Sequence, residues 1–337
     1  MVKFIGSGLR ALLRMRREKL AKARAADVAV LLDGEAIALL DVGASGGIIP
    51  RWYPHREHLA FIGVEPDARS IPALLDSPDA RAFKSYEIIP SGVWNQSGTV
   101  SISFTRKPMC SSHFTPNLPF LSRFLDVDRF DIVGSGQINC LTVDDLLARS
   151  GKEVDFIKLD LEGGELAVLE GAVATMRSCI GMHVEVSFQS LRENQPLFGD
   201  VSRFLQQHGL EFIDFVSLLR WERGSYSGAG QAIFADSLFL RAPENLVGHG
   251  EDKVISARTA RVYLAILTIY ERFDLALKFL ELMRSAHTDL SVSEIDRSAA
   301  VIQRRKANFD RRHRMVSLLG RTFARYAGPD YGLHYIY

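Results

Sequence analysis

Residues 154–171 read Val-Asp-Phe-Ile-Lys-Leu-Asp-Leu-Glu-Gly-Gly-Glu-Leu-Ala-Val-Leu-Glu-Gly, and no other stretch constrains the fold as tightly. A short apolar run ends on two carboxylates, Asp160 and Glu162. The pair Gly163 and Gly164 follows, and then a helical spacing of apolar residues begins. A buried strand, a tight turn and a helix satisfy that order. In open α/β sheets, ligands bind outside the carboxyl ends of the strands, so this strand delivers acids to the edge where a site is expected.

A second segment repeats the logic. Residues 37–47, Ile-Ala-Leu-Leu-Asp-Val-Gly-Ala-Ser-Gly-Gly, give another buried strand followed by a loop with Gly43, Gly46 and Gly47. Glycines there let the backbone turn sharply and approach a ligand closely. The loop departs from the dinucleotide pattern G-x-G-x-x-G: Asp41 stands two residues before the first glycine, and Ser45 lies inside the loop. An acid at that point repels a pyrophosphate and attracts a cation. S-adenosyl-L-methionine carries a sulfonium and an ammonium and no phosphate, and it fits better. A third strand, Phe61 to Val64, ends on Glu65, 24 residues after Asp41. An acid at the end of the second strand of a βαβ unit accepts hydrogen bonds from ribose hydroxyls. The competing reading is an ordinary strand–turn–helix junction with solvated acids.

Five segments together resemble the FkbM family of S-adenosylmethionine-dependent methyltransferases. They are Asp41-Val-Gly-Ala-Ser-Gly-Gly47, Gly63-Val-Glu-Pro-Asp67, Cys110-Ser-Ser-His-Phe114, Leu141-Thr-Val-Asp-Asp145 and Ile157-Lys-Leu-Asp-Leu-Glu-Gly-Gly-Glu165. The last is the most specific. The similarity runs in the family's order over roughly residues 36–241. It implies an α/β fold of the class I methyltransferase (Rossmann-like) type, with a doubly wound sheet. It also implies O-methylation of a hydroxyl, with glycan sugars, lipid-linked saccharides and natural products among the family's acceptors. Ser45, and Gly164 where the family often has Ala, are small departures. On this resemblance the cofactor-binding residues are Asp41, Gly43, Ser45, Gly47, Glu65 and Asp160.

Composition sets the outer bounds. At 337 residues the chain accommodates one large domain and a smaller module, and 47% apolar with 24% charged residues is ordinary for a globular protein. A formal net charge of +1 carries no polyelectrolyte signature. Cys110, Cys140 and Cys179 are odd in number and lack metal-ligand spacing, which suits a reducing, cytoplasmic compartment. No apolar run approaches the roughly 18 residues of a membrane span. Charge is nonetheless uneven. Residues 1–24 hold eight Lys and Arg against the single acid Glu18, with leucines at helical spacing. Three readings stand open: a basic amphipathic helix resting on anionic lipid through residues 1–25, a solvated helix docked on the protein, or an organellar transit peptide, which is Arg-rich and acid-poor too.

Three parts follow: a basic N-terminal helix (1–35), the methyltransferase-like domain (36–243) and a helical C-terminal extension (244–337). Within the domain, strands are predicted at 37–42, 61–65, 82–89, 154–160, 181–188, 211–218 and 232–240. Helices are predicted at 66–76, 142–148 (capped by Thr142), 165–177 and 198–208. Residues 93–104 read as a hairpin turning at Asn95-Gln-Ser-Gly98. Residues 105–138, with little periodicity, read as a long functional loop covering the acceptor site. The extension reads as two helices in 255–286 and a basic helix over 303–325.

Methyl transfer is an in-line displacement, so alignment dominates. A hydroxyl is a weak nucleophile, and a positioned base helps. The catalytic candidates are Asp160, Glu162 and His113, with Glu185 a further acid. Lys158 shares a strand face with Asp160 and is read as its ion-pair partner. Trp94 is either an adenine wall or a core aromatic. Asp144 and Asp145 are read as helix caps. No cluster requires a metal: His183 and Glu185 share a strand face, but two groups do not make a site. The leading acceptor is a saccharide hydroxyl. The alternatives are a small natural product and, through the basic C-terminal helix, a nucleic acid. The Asp-Leu-Glu-Gly strand end argues against the last, because it lacks the Asn/Asp-Pro-Pro-aromatic motif used for base amines.

Overall fold

The computed structural model describes residues 2–224, 228–247 and 254–327. The chain divides into two compact units: residues 36–49 with 56–242, and residues 1–35 with 50–55 and 243–337.

The first unit is built on a seven-stranded sheet. Its strands are β1 (Ile37–Val42), β2 (Leu59–Val64), β3 (Ser85–Ile89), β7 (Phe156–Leu159), β8 (Gly181–Ser187), β9 (Glu211–Trp221) and β10 (Gln231–Leu240), in the order β3-β2-β1-β7-β8-β10-β9. The pairs β1–β2, β2–β3, β1–β7 and β7–β8 are parallel; β10 runs antiparallel to β8 and β9. From β1 the chain winds outward to β2 and β3, then returns to the other side of β1 for β7. That reversal makes the β1/β7 seam the topological switch point of a doubly wound sheet. The α/β, Rossmann-like fold expected from the sequence is therefore observed.

The central strands are buried along nearly their whole length, as a sheet covered on both faces requires. Leu40, Val42, Ile62, Val64, Ile157, Leu159, Met182 and Val184 pack with Leu146, Leu147, Val168, Leu169, Val201 and Leu205 from the helices. The helix Val143–Ser150 begins as predicted: the Thr142 hydroxyl accepts from the Asp145 N–H at 2.9 Å. The helix expected over 165–177 is two short ones, Glu165–Glu170 and Val173–Met176, broken at Gly171. A Cβ at Gly171 would sit 2.3 Å from the Trp94 carbonyl oxygen, so the backbone there is packed against Trp94. Asp144 caps the second of these helices, accepting from Ala174 N (2.9 Å) and Thr175 N (2.8 Å).

Two expectations are corrected. Residues 93–104 do not form a hairpin, and 105–138 is not one irregular loop. A separate three-stranded sheet is built from β4 (Gly92–Val93), β5 (Gly98–Thr105) and β6 (Ile132–Leu141), ordered β4-β6-β5. The β6 strand inserts between β4 and β5, parallel to the first and antiparallel to the second. Between β5 and β6 lies a cover segment packed on its own apolar cluster of Cys110, Phe120, Leu121, Phe124 and Phe130, together with Leu191 and Ile233.

The second unit is helical. It contains Val2–Leu32, Pro243–Val247, Ala257–Ile269, Phe273–Met283 and Val292–Ala327. The segments read from sequence as separate ends of the chain thus lie in one unit with 50–55. Trp52 is buried and donates from Nε1 to the Tyr270 hydroxyl at 3.1 Å. Basic residues face acids within the unit: Arg24 and Arg312 reach Glu271 (3.2 and 2.8 Å), Arg304 pairs with Asp27, and Lys306 reaches Asp310 (2.7 Å). Burial alone would raise Glu271, but Arg312, Arg24 and Arg305 hold its carboxyl below the ordinary value. Much of the basic charge of Val292–Ala327 is thereby internally compensated. The side chains of 2–14, 16, 17 and 316–327 lie outside the described residues, and with them most of the amphipathic pattern read in 1–25. No helix among the described residues is long and apolar enough to cross a membrane.

Candidate active site

The switch point sets three acids side by side: Asp41 on β1, Glu65 just after β2 and Asp160 just after β7. Asp41 and Lys158 are direct cross-strand partners in the β1–β7 register. The Lys158 ammonium lies 3.2 Å from Asp41 and 3.3 Å from Asp160, and 3.4 Å from the Gly43 carbonyl oxygen. Burial alone would lower the Lys158 pKa, but the two carboxylates hold it above its ordinary value, so this lysine stays charged. Asp41 is only 2% exposed; desolvation pushes its carboxyl up to about 6 against the pull of Lys158. Asp160, with a side chain 40% exposed, presents its carboxylate outward.

A cavity of about 740 Å³ opens over this edge, within the range of small-molecule sites. Gly43, Ser45, Gly46, Glu65, Asp160 and Glu162 line its base, and Val100, Ile102, Phe104 and Ile138 of the small sheet line its wall. The glycine loop is shaped for close approach. Gly43 has φ 80° in the left-handed region, and a Cβ there would lie 2.1 Å from the Asp160 carbonyl oxygen. Glu65 is buried; its Oε1 accepts from Asp67 N at 2.8 Å, and it also accepts from the Ser45 backbone. Desolvation raises its pKa.

Two sequence-predicted cofactor residues sit behind the wall. Asp41 does not line the cavity: it is buried and paired with Lys158. Gly47 (φ 71°) ends the turn by donating to the Ala44 carbonyl at 2.8 Å and does not line the cavity either. Gly43, Ser45, Glu65 and Asp160 do line it.

His113 and Glu162, from segments distant in the chain, both line the cavity. His113 packs on Trp94, ring centroids 4.5 Å apart, and its Nδ1 lies 2.8 Å from the Ser101 carbonyl oxygen. A carbonyl only accepts, so Nδ1 carries the proton, and Nε2 is the basic nitrogen of the neutral ring. Trp94 lines the cavity and also occupies the space beside Gly164, where a Cβ would lie 2.9 Å from its ring. That contact accounts for a glycine at 164.

Glu162 takes a positive φ of 56° and pairs with Arg192 at 2.5 Å. Burial raises its carboxyl pKa even with Arg192 beside it. Arg192, 1% exposed, escaped the sequence reading because a lone arginine in a polar loop carries no local signal. Glu165 was also missed as more than a helix residue. Its buried carboxylate accepts from Leu161 N (2.8 Å) and Gly163 N (3.3 Å), holding the turn closed, and desolvation pushes it up to about 7. Glu185 stands on β8 outside the cavity lining; burial, then Asp160 and Glu162, push it well above its ordinary value. His183 Nε2 lies 3.3 Å from Asp236. Among the described residues no group of three or more His, Cys, Asp or Glu is placed to hold a metal ion.

Solved structures similar in part include magnesium protoporphyrin IX methyltransferase from Synechocystis PCC 6803 with bound SAM (9% identity, TM-score 0.34, covering 68% of this chain and 81% of that one). Others are a SAM-dependent methyltransferase from Aquifex aeolicus (13%, 0.30, 61% and 83%) and M. jannaschii TYW2 in complex with AdoMet (9%, 0.29, 64% and 74%). The fold assignment rests on the sheet topology and not on these distant overlaps. No curated protein matches the chain. The methyltransferase FkbM domain model matches residues 41–212, half of the chain and the whole stretch from β1 into β9. The chain belongs to the FkbM methyltransferase family.

Proposed function

We propose that the protein is an S-adenosylmethionine-dependent O-methyltransferase whose acceptor is a saccharide hydroxyl, of a glycan or a lipid-linked sugar. The observation that carries the cofactor half is the charge of the cavity base. Glu65 and the outward carboxylate of Asp160 are set beside a glycine loop, and the cations there are already paired, Lys158 with Asp41 and Asp160 and the cavity-lining Arg69 with Asp67. That base suits a cationic nucleoside. The missing Cβ of Gly43 leaves room for close approach. Glu65 would accept from the ribose hydroxyls, and Asp160 would face the ammonium. When bound, the cofactor supplies an electrophilic methyl group on a sulfonium.

The chain's own residues do the rest. Ser45 and Gly46 line the loop side of the cavity, and the apolar wall of Val100, Ile102 and Ile138 excludes water. His113, with its proton fixed on Nδ1, offers Nε2 to take the proton of an acceptor hydroxyl. Asp160 is engaged by the Lys158 ammonium at 3.3 Å; its part is orientation. Ser111, Ser112, Gln137 and Glu162 add the polar lining that a hydroxyl-rich acceptor requires. A small apolar natural product is a second reading, favoured by Phe104, Met109 and Ile138 in the lining.

Calorimetric titration with S-adenosylhomocysteine, repeated on Glu65→Ala, tests the cofactor site. Micromolar binding that the variant loses supports it; no binding to the wild type removes it. An acceptor screen read by the mass gain of one methyl group, begun with glycans and sugar-lipids, then separates the two acceptor classes.

A further inference from the structure

Arg192 has no role in the mechanism above, yet it is among the largest fully buried side chains in the protein. Its guanidinium meets three segments at once. Nη2, which carries two hydrogens, donates to the Glu162 carboxylate at 2.5 Å and to the Cys110 carbonyl oxygen at 3.1 Å. The guanidinium also lies 6.0 Å from the centre of the Phe130 ring. Main-chain bonds then stitch the same loop to the cover: Glu193 N donates to Thr115 O (2.9 Å) and Asn117 N donates to Leu191 O (2.9 Å). From below, the Arg192 N–H donates to Gln195 Oε1 (3.1 Å), and Gln195 Nε2 donates to Ser187 Oγ at the end of β8 (2.7 Å).

The consequence falls on residues 111–114. They are pinned at one end through Cys110 by the Arg192 side chain, and at the other through Thr115 by the main chain of Glu193. In the middle, the Ser112 hydroxyl donates to the Glu162 carbonyl at 2.8 Å. His113 therefore hangs from a four-residue bridge held on one side by β5, where Ser112 exchanges main-chain bonds with Ser103 (2.9 and 3.2 Å) and His113 bonds the Ser101 carbonyl, and on the other by the 190–193 loop and the Glu162 turn.

We propose that Arg192 is a positioning residue that locks the 110–115 segment to the Glu162 turn and so fixes His113 over Trp94 at the cavity. Fold stability alone is a poor account of such a group, because a buried ion pair often stabilises no more than well-packed apolar residues in its place. Breaking one partner is costly, and replacing both is not. That asymmetry separates position from stability. The placement of His113 matters for catalysis only if the methyltransferase reading holds, but the lock can be measured without an acceptor.

The experiment compares the full-length wild type, Arg192→Met and Arg192→Met/Glu162→Gln. Three readouts are taken: thermal midpoint, the ring-proton resonances of His113, which the Trp94 ring current displaces, and N-ethylmaleimide labelling of Cys110 by peptide mass. The single variant is expected to lose stability through its uncompensated carboxylate, and the double variant to regain most of it. Both are expected to lose the ring-current displacement of His113 and to label Cys110 at least tenfold faster, with Cys140 and Cys179 unchanged. A double variant that regains stability and keeps the wild-type His113 resonances and Cys110 protection would overturn the proposal. The double variant keeps the test decisive even where the single one does not fold. S-adenosylhomocysteine titration runs beside it: failure of the wild type to bind removes the cofactor reading and leaves the lock standing.

Discussion

Lys158 is the most consequential single side chain in the site, and Lys158→Met isolates it. The substitution keeps length and apolar stem and deletes the charge between Asp41 and Asp160. Asp160 is partly solvated and tolerates the loss; Asp41, 2% exposed, is left as a buried carboxylate without its cation. Breaking a buried pair from one side costs about 3–5 kcal/mol. Part of that cost is escapable by protonation, which gives a pH signature. In the wild type the folded Asp41 carboxyl titrates at about 6 against an ordinary 3.8. A raised carboxyl pKa means the folded state holds the proton more tightly, so this contribution is full below about pH 4 and fades as pH rises to 6. Lys158 lowers that pKa, so the variant extends the window upward past 6. Each pH unit inside it is worth about 1.4 kcal/mol for one linked proton. Urea unfolding at pH 5, 6, 7 and 8 should therefore show Lys158→Met losing more stability than the wild type between pH 6 and 7, by up to about 1 kcal/mol. Asp41→Asn/Lys158→Met should be more stable than the single variant at pH 7 and lack the extra slope. A pH-independent deficit in Lys158→Met, or a double variant no more stable than the single, would refute the reasoning.

Gly43→Ala places a Cβ 2.1 Å from the Asp160 carbonyl oxygen at a left-handed φ. Strain and overpacking together predict a loss of about 2–5 kcal/mol in urea unfolding, with S-adenosylhomocysteine binding abolished in what remains folded. His113→Asn preserves a donor for the Ser101 carbonyl and removes Nε2. Methyl transfer should fall about 100-fold or more while calorimetric S-adenosylhomocysteine affinity stays within about threefold. Glu165→Gln keeps the acceptor for Leu161 and Gly163 and removes a carboxyl raised to about 7. The wild type loses stability as pH climbs from about 4.5 to 7 on this account, and unfolding curves of the variant should be flatter over that range.

The central sheet was legible because its signals are local. The runs 37–42, 61–65 and 154–160 are mostly apolar and end at or beside an acid, and a glycine turn follows the first and the last. The small sheet was not legible. β6 contains Gly134, Ser135, Gly136, Gln137 and Asn139 and is exposed over most of its length, so no alternation of apolar and polar residues marks it. Its glycines serve a partner instead: a Cβ at Gly136 would lie 2.9 Å from the Phe104 ring on β5. The turn signal at 95–98 is real, but both flanking strands pair with β6, more than thirty residues further along, and not with each other.

The sequence by itself determined which residues are available for chemistry and at which strand ends they emerge. The glycine loop, Glu65, Asp160 and Glu162 come from short-range spacing, which fixes strand phase and turn position, and His113 from the loop segment Cys110–Phe114 that carries the family resemblance. Which of them face the cavity was decided by tertiary structure. Asp41 is turned inward because β7 lies beside β1 and sets Lys158 opposite it. Glu162 is held by Arg192, thirty residues away, and His113 by Ser101 and Trp94. Spacing along a chain fixes direction only within one element. Partners brought together by packing are chosen by the topology that buries them, and for these residues that topology supplies the charge balance, the tautomer and the hold.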